Sequence, residues 1–480
     1  MPESGKLANH MISKNVESGA PLAHWSKQTS ASSRSREDLL LSFFTCLDRN
    51  HVRYCVLHSW DEIPQQLSSD LDIAVHPEDY QGLLFVFRLL KSKGYSLVQV
   101  INYYVESYCF RFLWFEGPTI NSLAIDVIFK HQRGALLAPS VKLLLFSRRR
   151  HDMFWVPALE EEFTYLLARR IWKATAPARH QRRLKFLVER LGRPTAEKLA
   201  GKVLLGAVKI RIVNACESGR LNPLLAKGRR RAWQTSLVRN PLRLTADLLS
   251  DFIRLVRRWS HPTGLFISVM GPDGTVKNRL IEHLVQAVGP AFDRHKLFHW
   301  PFKLWRANTT REQARSLLVG LRRHGWAPGR LLAHFVEYWL GYWVVIRPVL
   351  ARSGLVVFDR YFDDEPIDAK RYCYGGPLWL ARMLRRLIPQ PDLILVLDAT
   401  EEAVLFRKQE LGPGEVQRQR ELHARCIDRT SSTRVINATG SISQVIAEAV
   451  TTVIEHLSQR FERQQGRRLA SNRQAMQRQT

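Results

Sequence analysis

The sequence predicts an α/β protein: an N-terminal unit with a mixed sheet, a basic helical connector, and a C-terminal unit with a doubly wound parallel sheet. Three observations predict it. Strand-like runs alternate with stretches of helical apolar spacing on both sides of the chain's middle, which is the pattern of α/β domains. The strand-like runs of the C-terminal half are short and largely apolar, as expected of strands covered on both faces. Residues 176–262 break the alternation, with twenty Lys/Arg against five acids and only helical spacing.

Residues 1–35 are polar and serine-rich and read as a disordered tail. The first unit covers 36–175. It opens with a helix over Glu37–Arg49, then a strand (Arg53–Leu57), a loop through Asp61–Ser69 and a second strand (Leu71–Val75). A helix over Asp79–Lys93 and strands around Ser96–Val100, Tyr108–Trp114 and Leu123–Phe129 complete the sheet. The run EEEFTYLLARRIWK (160–173) is a helix with a cationic end, either packed or closing over a site.

In the connector, Leu184, Leu187, Val188 and Leu191, and later Leu248, Leu249, Phe252, Ile253, Leu255 and Val256, recur at helical intervals. GRRRAW (228–233) and RLVRRW (254–259) set basic clusters beside tryptophan. Two readings stand: helices docked between the units, or an amphipathic surface for anionic lipid or polyphosphate.

The second unit covers 263–458, with strands at Phe266–Met270, Leu355–Phe358, Leu393–Leu397 and Arg434–Asn437. Residues 459–480 are polar and basic and read as a second disordered tail.

At 480 residues the chain is long enough for two or three domains. The formal net charge of +28 points to anionic partners, or simply to solvated arginine-rich faces. The six cysteines are scattered without C-x-x-C or Cys/His ligand spacing, which argues against a disulfide framework or structural zinc and fits a reducing cytoplasm. No apolar leader is visible at the N-terminus. No run approaches the roughly 18 apolar residues that a membrane span needs. The expected location is cytoplasmic, with contact at the inner face of the membrane if 176–262 is a lipid surface.

Two constellations carry chemistry. In LHSWDEIPQQLSSDLDIAV (57–75), Ser59 follows a strand, and Asp70 and Asp72 lie two apart on the next strand, hence on one face. Asp126 stands inside the otherwise apolar run LAIDVIF (123–129). Three carboxylates at one sheet region suit Mg²⁺, which takes carboxylate and phosphate oxygens. The alternative is a solvated strand face. In LFISVMGPDGTVKNRL (265–280), a buried strand runs into a glycine-containing turn and a helix, the setting of a phosphate-binding loop. Against G-x-x-x-x-G-K-[ST], Gly271 and Lys277 are in place, while Val276 replaces the second glycine and Asn278 the metal-binding hydroxyl. Downstream come FDRYFDD (358–364), PDLILVLDA (391–399), the Arg/Lys-rich RKQELGPGEVQRQRE (407–421) and VINA (435–438).

In the order of these pieces, residues 264–458 resemble the thymidylate-kinase-like branch of P-loop kinases, including relatives in polysaccharide-biosynthesis settings. The resemblance implies that Gly271, Gly274, Lys277 and Asn278 hold the phosphates of ATP or another nucleoside triphosphate with Mg²⁺. It implies that Asp273 lies beside the acceptor, that Asp359 and Arg360 lie near acceptor and metal, and that Arg407, Lys408, Arg418 and Arg420 form a mobile lid. A local ion pair at a strand end is the alternative for Asp359-Arg360. Residues 37–175 resemble the nucleotidyltransferase fold, in which a Gly-Ser turn, here His58-Ser59, holds triphosphate. The resemblance implies that Asp70, Asp72 and Asp126 hold metal and are catalytic. Together these suggest a transferase of phosphoryl or nucleotidyl groups acting on a nucleotide, sugar phosphate or glycan. The alternatives are a non-catalytic nucleotide-binding scaffold at an anionic membrane and a nucleic-acid-modifying nucleotidyltransferase. No RRM-, KH- or helix-turn-helix-type motif supports the last.

Overall fold

The computed structural model describes residues 35–64, 70–104, 107–117, 119–129, 138–204, 206–239, 241–271, 276–299, 327–362, 378–400 and 432–477, with single positions 364, 414, 417, 418 and 421. The expected N-terminal tail falls outside them except for Ser35.

Helix α1 (Arg36–Arg49) begins at a reciprocal cap. Ser35 Oγ accepts from the Asp38 amide at 3.0 Å, and Asp38 Oδ2 accepts from the Ser35 amide at 3.0 Å, so two otherwise orphaned donors are satisfied. The first sheet contains β1 (Tyr54–Val56), β2 (Leu71–Val75), β3 (Ser96–Tyr104), β4 (Ser107–Glu116) and β5 (Thr119–Ile128), in the order β1-β2-β5-β4-β3. It is mixed: β2 and β5 run parallel and the other neighbours antiparallel. Helix α2 (Tyr80–Ser92) joins α1 over one face, where Phe43, Phe44 and Phe87 meet Ile73, Phe110 and Val127 in a continuous apolar core.

The opposite face is covered near β2 by α3 (Val141–Phe146) and α4 (Leu159–Lys173), with a hairpin of β6 (Arg149–His151) and β7 (Phe154–Val156) alongside. Every residue of α4 from Glu162 to Ile171 is buried. The helix is enclosed because α5 (Ala178–Leu191), α6 (Arg193–Val203), α7 (Val208–Glu217) and α8 (Asn222–Arg239) close over its other side. Leu167, Ile171, Leu184, Leu199, Ile212 and Leu225 form a core of their own there. Most of the basic segment is thus a helical bundle built on α4, with its arginines outside and its leucines inside. Only α9 (Pro241–Ser260) leads onward to the second unit.

The second sheet contains β8 (Leu265–Met270), β9 (His295–His299), β10 (Leu355–Asp359), β11 (Leu393–Asp398) and β12 (Thr433–Asn437). Its order is β12-β11-β8-β10-β9 and every pair is parallel, as the apolar runs predict. Strand β9 escapes sequence reading because HKLFH is a mostly exposed edge strand without an apolar run. Helices α10 (Lys277–Val288) and α14 (Ile442–Gln477) cover one face. The other face carries α13 (Leu378–Leu387) and α11 (Ala327–Gly341), which continues through a π-helical turn (Tyr342–Ile346) into α12 (Arg347–Ala351). The chain passes from β8 outward to β9 and β10 on one side, then crosses to β11 and β12 on the other. The crevice beyond the carboxyl end of β8 is therefore the topological switch point, where open α/β sheets place ligands.

The units are packed together. Val98 and Leu113 of the first sheet belong to the second unit's core, Arg111 and Tyr103 both bind Asp293, and Lys91 pairs with Glu462 at 2.6 Å. The stretch read as a C-terminal tail is helical as far as Gln477. Its glutamines, arginines and alanines are good helix formers, and they extend a helix already nucleated by the buried turns through Leu457. Among the described residues, no helix is long and apolar enough to cross a membrane.

Candidate functional sites

In the first unit the strand alternation places Asp72 and Asp126 together. They are direct partners across the parallel β2–β5 pair. Their chain neighbours Ile73, Ile125 and Val127 point into the core beneath α1 and α2, so both aspartates point to the α4 side. Asp72 is buried. Arg169 of α4 donates to its Oδ1 at 2.7 Å, and His58 Nε2 lies 3.0 Å from its Oδ2. Burial pushes the Asp72 carboxyl up, but Arg169 and His58 together hold it far below the usual range. Asp126 faces Cys109 across the β4–β5 pair and takes a hydrogen bond from that thiol in place of a cation. Burial, then the Asp72 charge, push it up to about 7, and its Oδ1 is buried without a hydrogen-bond partner. Asp70, just before β2, is raised by the same two causes.

Cations crowd the other side of this cluster. Arg170 is lowered to about 10, first by burial and then by Arg169, and Lys173 is lowered by burial, Arg169 and Arg170. Ser59 has a left-handed backbone (φ 57°), and its Oγ lies 3.2 Å from His58 Nδ1 and 3.5 Å from His180 Nε2. Burial, then Arg170, lower His180 to about 3, so both histidines are neutral near pH 7. Closely set cations with depressed proton affinity are poised to accept an anion, which would relieve their mutual repulsion. The three aspartates do not form a metal-holding set: no group of three His, Cys, Asp or Glu among the described residues is arranged to hold an ion. The physical reason is Arg169, whose guanidinium takes the place a cation would need on Asp72. These residues as arranged do not fit a resident Mg²⁺.

The second site lies at the switch point. Gly271 follows β8 with φ 147°, and a Cβ there would lie 3.0 Å from both Cβ and the carbonyl oxygen of Leu397, so only glycine fits the cradle. Lys277 is the first residue of α10 and is buried, and its Nζ donates to the Gly271 carbonyl at 2.5 Å. Asp359 ends β10 beside Val269 and His299 in register. Burial raises its carboxyl, but the hydrogen bond from His299 (3.0 Å) and the charges of Lys277, His299 and Arg360 outweigh it and leave Asp359 ionised. Its Oδ1 is buried without a hydrogen-bond partner. Arg360 has a left-handed backbone (φ 69°), donates its amide to Val269 O at 2.9 Å and lies 3.7 Å from the buried Asp364. Asn278 is exposed on the first helical turn. An ionised carboxylate with a free oxygen beside a buried lysine at a helix N-terminus does fit a phosphate together with its cation.

Sequence reading named Ser59, Asp70, Asp72, Asp126, Gly271, Lys277, Asn278, Asp359 and Arg360, and the structure gathers them into these two groups. Asp273, Gly274, Arg407, Lys408 and Arg420 lie outside the described residues, and Arg418 is an exposed helical position. Missed were Arg169, Arg170, His180 and His299. Tyr165, Arg169 and Lys173 at i, i+4 and i+8 share one face of α4, a signal available in the sequence. The two histidines come from a distant helix and an edge strand and gave none.

No family model matches the chain, and no curated protein matches it. Among solved structures it is similar to the thymidylate kinase from Ehrlichia chaffeensis, at 17% identity and a TM-score of 0.30, covering 40% of this chain and 98% of that one. The strand order and register above stand independently of that likeness.

Proposed function

We propose that the chain is a nucleotide-dependent transferase whose second unit binds the phosphates of a nucleoside triphosphate at the amino end of α10. The observation that carries this reading is Lys277, buried at the first residue of the helix that leaves β8, with its charge felt by the ionised Asp359. On this reading Gly271 gives the phosphates close access to the backbone. Lys277 leaves the Gly271 carbonyl to take a phosphate oxygen. Asp359 either holds the accompanying Mg²⁺ through its open Oδ1 or orients the acceptor. Arg360, whose backbone N–H donates to Val269 O of β8, adds positive charge where the phosphoryl oxygens carry negative charge. The acceptor class is a nucleotide, a sugar phosphate or a glycan hydroxyl. The first unit, on this reading, supplies an anion-binding cluster, and a nucleotidyl-transfer role there requires Arg169 to release Asp72.

A second reading, nucleotide binding without turnover, is favoured by the exposed Asn278 where a metal-binding hydroxyl is expected. The test is calorimetric titration of MgATP into the full chain and into Lys277→Ala, followed by a screen for Mg²⁺-dependent transfer to nucleotides and sugar phosphates. Binding lost in Lys277→Ala supports the site, and turnover then separates enzyme from scaffold. Absence of binding at millimolar MgATP refutes both.

A further inference from the structure

Helix α9 is seated inside out. Among those of its side chains that are described, the buried one is Asp251, at 3% exposure, paired with Arg254 at 3.2 Å. On the same side, Arg258 donates to Ala351 O at 2.9 Å and Ser353 Oγ at 2.8 Å. The polar face therefore holds the helix to the protein. The apolar face looks outward: Leu249, Phe252, Val256 and Trp259 lie within one arc and are 61%, 63%, 51% and 43% exposed. An amphipathic helix in a water-surrounded domain does the reverse. The surface continues past the end of α9. Arg347 donates to the Trp259 and Ser260 carbonyls, both at 2.7 Å, and stacks over Trp343. Trp343 adjoins Trp339, and both are partly exposed on the outer stripe of α11 and its π turn.

We propose that this surface, α9 with Trp339 and Trp343, lies in the headgroup region of an anionic lipid bilayer. Three facts select lipid as the occupant. The apolar arc is bordered by exposed Arg257 and by Arg347, as on helices that rest in a membrane interface. Tryptophan, which favours that interface, stands at three points of the patch. The chain carries a net charge of +28, so a second copy face to face would be repelled, whereas an anionic leaflet attracts it. The surface is separate from the nucleotide site, and neither reading depends on the other.

The test is cosedimentation of the full chain with vesicles of phosphatidylcholine alone and with about 30% phosphatidylserine, at low salt and at about 0.5 M salt. The wild type is expected to bind the anionic vesicles with a blue shift in tryptophan emission. Phe252→Glu and Leu249→Glu, both at exposed positions, each lower partitioning by about tenfold or more with unchanged circular dichroism. Arg257→Glu weakens binding at low salt only. Three outcomes overturn the proposal: no vesicle binding by the wild type, unchanged binding by both glutamate variants, or a stable dimer that Leu249→Glu converts to monomer without any lipid binding.

Discussion

Removing the Arg169 guanidinium isolates a buried charge, and Arg169→Met does so with little loss of volume. In the native protein Asp72 is buried, its Oδ1 accepts from Arg169 at 2.7 Å, and its partner His58 is neutral. Burial is already the largest single influence on Asp72, and without Arg169 the main influence left to oppose it is His58, so the proton affinity of the carboxyl rises. Breaking one side of a buried pair costs about 3–5 kcal/mol, because the remaining charge is uncompensated. The pH dependence follows with a definite sign. In the wild type the Asp72 carboxyl is depressed on folding, so its contribution is complete above the unfolded value of about 4 and is lost only as pH falls below that. In Arg169→Met the carboxyl is raised on folding, so the penalty is largest near pH 7 and fades as pH approaches 4. Asp72→Asn combined with Arg169→Met removes the stranded charge and recovers roughly 2–3 kcal/mol of the loss. The assay is urea denaturation of the four proteins of the cycle at pH 7 and pH 5. A coupling energy below about 0.5 kcal/mol, or a deficit that grows toward acid, refutes the reasoning.

Three further outcomes are expected. Carboxyl NMR should place the Asp126 titration midpoint near 7, and Asp72→Asn should lower it, because the Asp72 charge is one of the groups that raise it. Gly271→Ala should cost about 2–4 kcal/mol in thermal or urea denaturation, since the new methyl meets Leu397 at 3.0 Å from a backbone at φ 147°. Arg460→Ala should cost about 1.5–3 kcal/mol, because the guanidinium donates to Gly264 O at 2.8 Å and Pro262 O at 2.7 Å and ties α14 to the entry of β8. Unchanged unfolding midpoints in the last two would refute those assignments.

Much of the architecture was legible in the chain. The runs at Leu265–Met270, Leu355–Asp359 and Leu393–Asp398 are apolar because both faces of the sheet are covered, and that composition survives without any knowledge of the partners. The period of two likewise put Asp70 and Asp72 on one face. It could not find β9, whose residues are polar because an edge needs no apolar run. Nor could it show that the connector's leucines form a bundle on α4, since helical spacing gives a face but not its partner.

The sequence by itself determined the α/β class, the parallel character of the second sheet, and which candidate residues fall at strand ends and helix starts. These depend on local geometry, where side-chain direction follows from the number of residues between positions. Only the tertiary structure decided what each carboxylate faces. Arg169 reaches Asp72 from 97 positions away in the chain. Asp126, the adjacent residue on the next strand, has no cation to hold it, and its Oδ1 is buried without a hydrogen-bond partner. Burial and opposing charge set whether an aspartate is a bound anion or a neutral acid, and both are properties of three-dimensional neighbours. For the same reason the apolar arc of α9 could be read from its spacing, while its outward orientation could not. That was fixed by Asp251 and Arg258 finding polar partners on the body of the protein.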